Sequence, residues 1–149
     1  MREASSRGAK SIIFSNKILR ISWSVLNKIF KEASRDRESC GLLGGRIRDS
    51  IYEATHMMFI KNISEDPNTF IMDPLETVRG LKALEEQGLE LVGIFHTHLG
   101  YPPIPSFRDL DGMDGWPVPW LIVDLRSGEY RAWIKKDGRL DMIGIELIV

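Results

Sequence analysis

The sequence contains a single cysteine, Cys40, among its 149 residues. One cysteine cannot form an intrachain disulfide, and it cannot supply the several thiolates of a cysteine-based zinc site. No apolar run approaches the roughly 20 residues of a membrane-spanning helix. The first ten residues also lack the apolar segment of a signal peptide. These absences predict a cytoplasmic protein that does not bind a membrane.

The sequence also has no excess of charge of either sign: the formal net charge is -1, and the basic residues are scattered. Proteins that bind the phosphate backbone concentrate lysine and arginine on one surface, so we expect no nucleic-acid partner. The composition, 43% hydrophobic and 28% charged, is ordinary for a globular protein. We expect residues 1–10 to form a flexible tail and residues 11–149 to form one domain.

Hydrophobic patterning predicts about seven strands, some of them short and two of them forming a hairpin. They are drawn from eight strand-like segments, the first two of which can be joined at Ser15-Asn16: 11–14, 17–22, 39–47, 51–60, 89–98, 120–125, 129–134 and 140–149. The run at 89–98 is apolar enough to be buried on both faces. Together with the helices described next, these strands predict an α/β (α+β) fold, in which helices pack on a mixed, largely antiparallel sheet.

Two substantial helices and a short third are expected between the strands. Ser22 is predicted to cap the first, at about 23–34. Its core-facing residues would be Trp23, Leu26, Ile29, Phe30 and Ala33. Asp73-Pro74 predicts the start of the second helix and Gly88 its end. Its buried stripe would be Leu75, Val78, Leu81 and Leu84. A short third helix can begin at Ser106, with Asp109 nearly completing a capping box.

Two of the three histidines, His96 and His98, lie one residue apart where the apolar strand ends. Side chains two residues apart in a strand point to the same face, so the two imidazoles can meet one ion. Alone, such a pair is more often structural than metal-binding. Two imidazoles and a carboxylate suit zinc, and Asp109 becomes the third ligand if the proline-stiffened loop at 99–105 folds back. Three protein ligands would leave the fourth position for water, as in catalytic zinc sites.

A longer pattern surrounds this pair. His96 and His98 are followed by seven residues, then Ser106, two residues and Asp109. This spacing resembles the signature of the JAMM (MPN+) zinc metalloprotease family. The segments ESCGLLGG at 38–45 and VGIFHTH at 92–98 also resemble that family, as does the F-x-M-D-P pattern that begins at Phe70. The resemblance extends over roughly residues 17 to 135.

The resemblance implies a role for five residues and a fold. His96, His98 and Asp109 would bind one Zn²⁺ ion. Glu38 would be the general acid and base acting through the zinc-bound water, and Ser106 would orient that water or stabilise the oxyanion. The family's fold is similar to the three-layer arrangement of cytidine deaminases.

The implied activity is cleavage of the amide bond after the C-terminal glycines of a ubiquitin-like or sulfur-carrier-like modifier, with the modifier or its conjugates as partners. One alternative is a peptidase that trims an amino acid from a sulfur-carrier protein in cysteine or cofactor biosynthesis. Another is a non-catalytic MPN scaffold, although such relatives usually lack the metal ligands. The regions at 61–72 and 110–119 are short where linkage-selective relatives carry insertions, which indicates a minimal catalytic domain.

Four secondary expectations concern the surroundings of the site. Cys40 is expected to be a buried structural thiol, with a redox role as the alternative. His56 is expected to be structural, and the segment Trp116–Trp120 is expected to pack in the core rather than face substrate. Finally, the hairpin at 38–62 could leave an edge open, to which the modifier's tail would add as a strand.

Overall fold

The computed structural model describes residues 13–149, so the tail expected at 1–10 lies outside the described residues. Within this range the chain forms seven strands and three helices, as expected. In order they are β1 (Ile13–Ser22), α1 (Trp23–Glu32), β2 (Cys40–Arg48), β3 (Ile51–Ile60), α2 (Pro74–Glu86), β4 (Glu90–His98), α3 (Phe107–Met113), β5 (Trp120–Asp124), β6 (Tyr130–Lys136) and β7 (Arg139–Ile148). None of these helices has the length and apolar character needed to span a membrane. Of the two segments expected at 11–14 and 17–22, the described residues 13–14 and 17–22 belong to one strand, β1, whose register shifts between Phe14 and Ile18.

The strands close into a barrel in the order β1-β3-β2-β4-β5-β6-β7. Four neighbouring pairs are antiparallel, namely β2–β3, β2–β4, β5–β6 and β6–β7. The other three, β1–β3, β1–β7 and β4–β5, are parallel. The expected mixed, largely antiparallel sheet is therefore confirmed. The expected open edge of the hairpin stays a prediction, because β1 pairs with β3 only over residues 51–54, and among the described residues 56–60 are paired with β2 alone.

The core is divided between the two faces of the sheet. On β4, for example, Phe95 packs in the cluster that includes α1, whereas Ile94 packs in the cluster that includes α2 and α3. The same alternation separates Leu43 from Leu42 on β2, because successive side chains of a strand point to opposite faces. One helix therefore covers one face and two helices cover the other, which confirms the expected three layers.

Helix α1 begins as predicted but turns one aromatic residue outward. The Ser22 side chain accepts a hydrogen bond from the Ser24 N–H, so Ser22 is the N-cap. Trp23, expected in the core, is 48% exposed. The buried residues of α1 are Val25, Leu26 and Ile29, and at 3.6 residues per turn Trp23 lies about 115° from the centre of the face that they form.

Helix α2 is bounded by the predicted signals. Asp73 caps its first turn through the Leu75 N–H, and Pro74 is its first residue. At its other end Gly88 adopts a φ of 74°, which glycine accepts without strain. The Leu89 N–H then reaches back to the Leu84 carbonyl at 2.9 Å, which terminates the helix.

The buried stripe of α2 differs from the predicted one. Leu75 and Val78 are 57% and 61% exposed. The residues facing the sheet are Thr77, Gly80 and Leu84. The reason is a close approach at Gly80, where an added Cβ would lie 2.8 Å from the Met58 Sδ atom and 3.0 Å from the Leu42 Cδ1 atom. Because the helix packs through its glycine, it is rotated and two apolar side chains remain on the surface.

Candidate active site

Strand β4 delivers both histidines to the sheet face that α2 and α3 cover. His96 and His98 follow the same alternation as Ile94, which packs in that cluster. Both side chains are buried, with 0% and 2% exposure. The expectation that the two imidazoles share one face is confirmed.

Helix α3 brings the carboxylate to them. The Ser106 Oγ accepts the Asp109 N–H at 3.0 Å, and the Asp109 Oδ2 accepts the Ser106 N–H at 2.8 Å, which completes the expected capping box. The preceding loop is pinned to β6, because the buried Trp133 Nε1–H donates to the Pro103 carbonyl at 2.9 Å. The folded loop therefore places Asp109, 5% exposed, against the histidines.

The three side chains converge through one atom each. The two histidine Nε2 atoms are 3.3 Å apart, and the Asp109 Oδ2 lies 3.0 Å from the Nε2 of His96 and 3.4 Å from that of His98. A tetrahedral zinc ion with ligands at about 2.0–2.1 Å separates neighbouring ligand atoms by roughly 3.3 Å. The triangle therefore fits zinc, and the group could hold one metal ion.

The electrostatics also suit a cation. Burial lowers the pKa of His96, so its imidazole is neutral and keeps a free lone pair. Burial raises the pKa of Asp109, but His96, His98 and the Ser106 N–H outweigh it and hold that pKa well below its usual range. The His98 Nδ1 lies 2.8 Å from the Pro102 carbonyl, a contact in which the Nδ1–H donates and the Nε2 lone pair is left available.

The register between β2 and β4 brings Glu38 to the same place. Cys40 lies opposite His96. Ser39 and Thr97 extend the pairing, because the Ser39 N–H donates to the Thr97 Oγ1 at 2.8 Å and the Thr97 N–H donates to the Ser39 carbonyl at 2.9 Å. One further step of this register places Glu38 beside His98, on the same face of the sheet.

Glu38 is buried, with 3% exposure. Burial, together with the nearby charges of Asp109 and Asp66, raises its pKa to about 9. A cation held by the neighbouring triangle would lower this pKa towards neutrality, where a carboxyl group can act as a general acid or base. The structure thus brings together four of the five residues expected at the site, and Ser106 lies at the same helix end as Asp109, with its side chain exposed.

The remaining expectations concern Cys40, His56 and the segment Trp116–Trp120. Cys40 is buried and its thiol lies 3.4 Å from the Ile60 carbonyl. Burial raises its pKa to about 12, which disfavours the reactive thiolate and supports a structural role. His56 is exposed and bonds to the Thr55 hydroxyl at 2.8 Å, away from the site on β3. Trp120 is 2% exposed and belongs to the core, as expected.

Trp116 has a different position. It lines a cleft of about 360 Å³ that reaches Asp109, so the segment Trp116–Trp120 contributes both to the core and to a wall beside the site. The other lining residues are Phe70, Ile71, Met72, Arg108, Gly112 and Trp120.

Sequence patterns assigned no role to three residues that shape the site. Phe70 stacks on the His96 ring, with centroids 4.5 Å apart. Asn62 donates to the Glu38 carbonyl at 2.9 Å. Asp124 accepts the Gly100 N–H at 2.8 Å and so holds the loop that follows the histidines. Each contact joins segments at least 24 residues apart, which no local pattern records.

The chain is similar to known proteins over most of its length. Residues 24–135 match the family described as prokaryotic homologs of the JAB domain. A desampylase of Pyrococcus furiosus is 44% identical over 122 residues, which span 81% of this chain and 84% of the relative. A probable TtuB-protein conjugate cleaving protease of Thermus thermophilus is 37% identical over 104 residues, 69% of this chain and 65% of the relative. The solution structure of a Desulfitobacterium hafniense protein, 24% identical, has a similar fold, with a TM-score of 0.79 over 87% of this chain and 92% of that one.

Proposed function

Because the chain belongs to the prokaryotic JAB-domain family, and is therefore a JAMM-type hydrolase, we propose that it is a zinc-dependent isopeptidase. Its substrate would be the amide bond after the C-terminal glycines of a ubiquitin-like or sulfur-carrier-like modifier. The observation that carries this proposal is the buried triangle of His96, His98 and Asp109 with Glu38 beside it. The relatives that are named desampylases or conjugate-cleaving proteases support the same substrate class.

In the proposed mechanism His96, His98 and Asp109 would hold the zinc ion, which would supply Lewis acidity and lower the pKa of a water molecule. Glu38 takes a proton from the attacking water as its oxygen bonds to the scissile carbonyl carbon. Ser106 donates a hydrogen bond to the oxyanion that develops there. Glu38 then delivers the proton to the amide nitrogen as the C–N bond breaks. The products are a modifier with a free C-terminal carboxylate and a free amine on the target.

The scaffold alternative accounts poorly for these residues. A scaffold has no need to bury Glu38 and Asp109, since burying ionisable groups without a function costs folding free energy. Trimming of a single amino acid from a carrier protein uses the same chemistry, so it is separated from isopeptide cleavage only by the choice of substrate.

We expect the zinc-loaded protein to release a ubiquitin-like modifier from an isopeptide-linked protein conjugate. Mass spectrometry would show the intact modifier ending in its glycine carboxylate, and a chelator would stop the release. A carrier protein extended by one residue is the second substrate. Trimming of that residue without cleavage of the conjugate would favour the peptidase alternative, and cleavage of neither would refute the proposed activity.

An exposed apolar strip near the site suits a protein substrate. We define it as Ile63, Ile71, Leu75 and Val78, which are between 44% and 61% exposed. Ile63 and Ile71 are joined by a backbone hydrogen bond of 2.9 Å, and Leu75 and Val78 lie on one face of α2. Ile71 also lines the cleft that reaches Asp109, so one member of the strip lies beside the site. We infer that the body of the modifier docks on this strip.

Placing a charge on the strip is expected to weaken docking. Val78→Asp should raise KM for the modifier conjugate by about tenfold, as loss of an apolar interface contact does, and should leave kcat unchanged. Cleavage of a short peptide ending in the modifier's last residues should not change. Leu147→Asp, a similar change at a 37% exposed position on β7, is the control. Equal effects of the two substitutions would contradict a docking role for the strip.

A further inference from the structure

The two histidines of the site differ at the nitrogen that points away from the triangle. The His98 Nδ1 has a partner, the Pro102 carbonyl at 2.8 Å. The His96 Nδ1 is buried and has no hydrogen-bond partner among residues 13–149. In metal-binding histidines the second nitrogen ordinarily donates a hydrogen bond, which fixes the orientation of the ring. The ring of His96 is therefore held by something else.

Two aromatic rings surround it. Phe70 stacks on one face of the His96 imidazole, with ring centroids 4.5 Å apart and an angle of 27° between planes. Trp120 meets it at 83°, with centroids 5.8 Å apart. A flat contact on one face and an edge contact from another side oppose rotation of the ring, which would carry Nε2 out of the triangle.

We propose that Phe70 is the positioning residue of His96, and that its stacked ring takes the place of the missing hydrogen bond in aiming Nε2 at the metal. This inference rests on the metal site of the proposed function. It concerns a residue that touches neither the ion nor the scissile bond and acts only through His96.

Phe70 is itself held by a side chain that also reaches Glu38. The Asn62 Nδ2 donates to the Thr69 carbonyl at 3.0 Å, and its Oδ1 accepts the Ile71 N–H at 3.0 Å, so Asn62 grips the backbone on both sides of Phe70. The same Nδ2 donates to the Glu38 carbonyl at 2.9 Å. The segment that places Phe70 on the metal ligand is thereby tied to the general base.

The test compares two substitutions of Phe70, one that keeps an apolar side chain without the aromatic ring and one that keeps the ring. We expect Phe70→Leu to weaken zinc binding by about tenfold, within the range for residues that orient metal ligands, and Phe70→Tyr to bind zinc as the wild type does. Affinity is measured by competition with a chromophoric chelator, and thermal unfolding of the metal-free proteins is measured in parallel. Ile71→Ala is the control, since Ile71 lines the same cleft and is 49% exposed.

A spectroscopic measurement separates positioning from simple packing. With Co²⁺ in place of zinc, the visible bands should shift in Phe70→Leu and remain as in the wild type in Phe70→Tyr and Ile71→Ala. Wild-type affinity and spectrum in Phe70→Leu would overturn the inference, as would an equal loss in all three variants. A wild-type protein that binds no zinc would refute the proposed function together with this inference, whereas unimpaired binding by Phe70→Leu refutes the inference alone.

Discussion

Glu38→Gln is expected to lower kcat for conjugate cleavage by about 10²–10⁴-fold, the usual contribution of a general base. Glutamine has nearly the same shape but can neither accept the proton of the attacking water nor pass one to the amide nitrogen. The zinc content should not change, because Glu38 is not part of the triangle of ligand atoms. The rate of cleavage is measured from the release of the modifier, and the zinc content is measured by elemental analysis of the same samples.

The same substitution should stabilise the metal-free protein. The pKa of Glu38 is about 9 in the folded state against an ordinary value of 4.5, so between these two pH values the folded state keeps a proton that the unfolded state has lost. Stability of the wild type therefore falls as pH rises through this window, and glutamine removes that dependence. At pH 8, Glu38→Gln should raise the free energy of unfolding by about 1–3 kcal/mol, allowing for solvent screening.

These two outcomes together distinguish a catalytic group from a structural one. If Glu38 were a structural carboxylate, its replacement would make the protein less stable, and activity would fall only because less of the protein is folded. Urea unfolding with chelator at pH 5 and pH 8 supplies the comparison, and the difference between variant and wild type should be larger at pH 8. Cleavage by Glu38→Gln at a rate close to that of the wild type would exclude Glu38 as the base.

His98→Ala is expected to abolish zinc binding and to lower cleavage by at least about a thousandfold, because the metal supplies the main electrostatic stabilisation of the reaction. Two ligands remain, and a site with two protein ligands does not retain zinc against a chelator. In the wild type, zinc at about 1,000 times its Kd should raise the free energy of unfolding by about 4 kcal/mol. In the variant this zinc-dependent increase should vanish.

The matched control is His56→Ala, which removes an exposed histidine on β3 outside the site. It should bind one zinc ion per chain and cleave at the wild-type rate. Thermal unfolding of metal-free His98→Ala checks that the fold persists, since the substitution also frees the Pro102 carbonyl. Unchanged zinc content in His98→Ala would show that the ion lies elsewhere.

Local sequence specified much of this protein. Alternation of apolar residues marked the strands, and the cap at Ser22 and the Asp73-Pro74 start marked two helices. The spacing from His96 to Asp109 resembled the JAMM signature, which implied a metal site, and local rules account for part of it: a strand places the histidines on one face, and a capping box fixes the aspartate beside Ser106. These features depend on interactions within a few residues, so a short window of sequence contains them.

Long-range packing supplied the rest. Glu38 reaches the triangle because Ser39 pairs with Thr97, 58 residues later, and the register of two strands depends on the whole closed barrel. The rotation of α2, which exposes Leu75 and Val78, follows from the close approach at Gly80 to a sheet that the helix's own sequence does not describe. The contact between Phe70 and His96 likewise forms only in the folded protein, because the two residues are far apart in the sequence. The periodicity of apolar residues indicates which residues are buried, whereas the residues that each one contacts depend on the free energy of the whole folded structure.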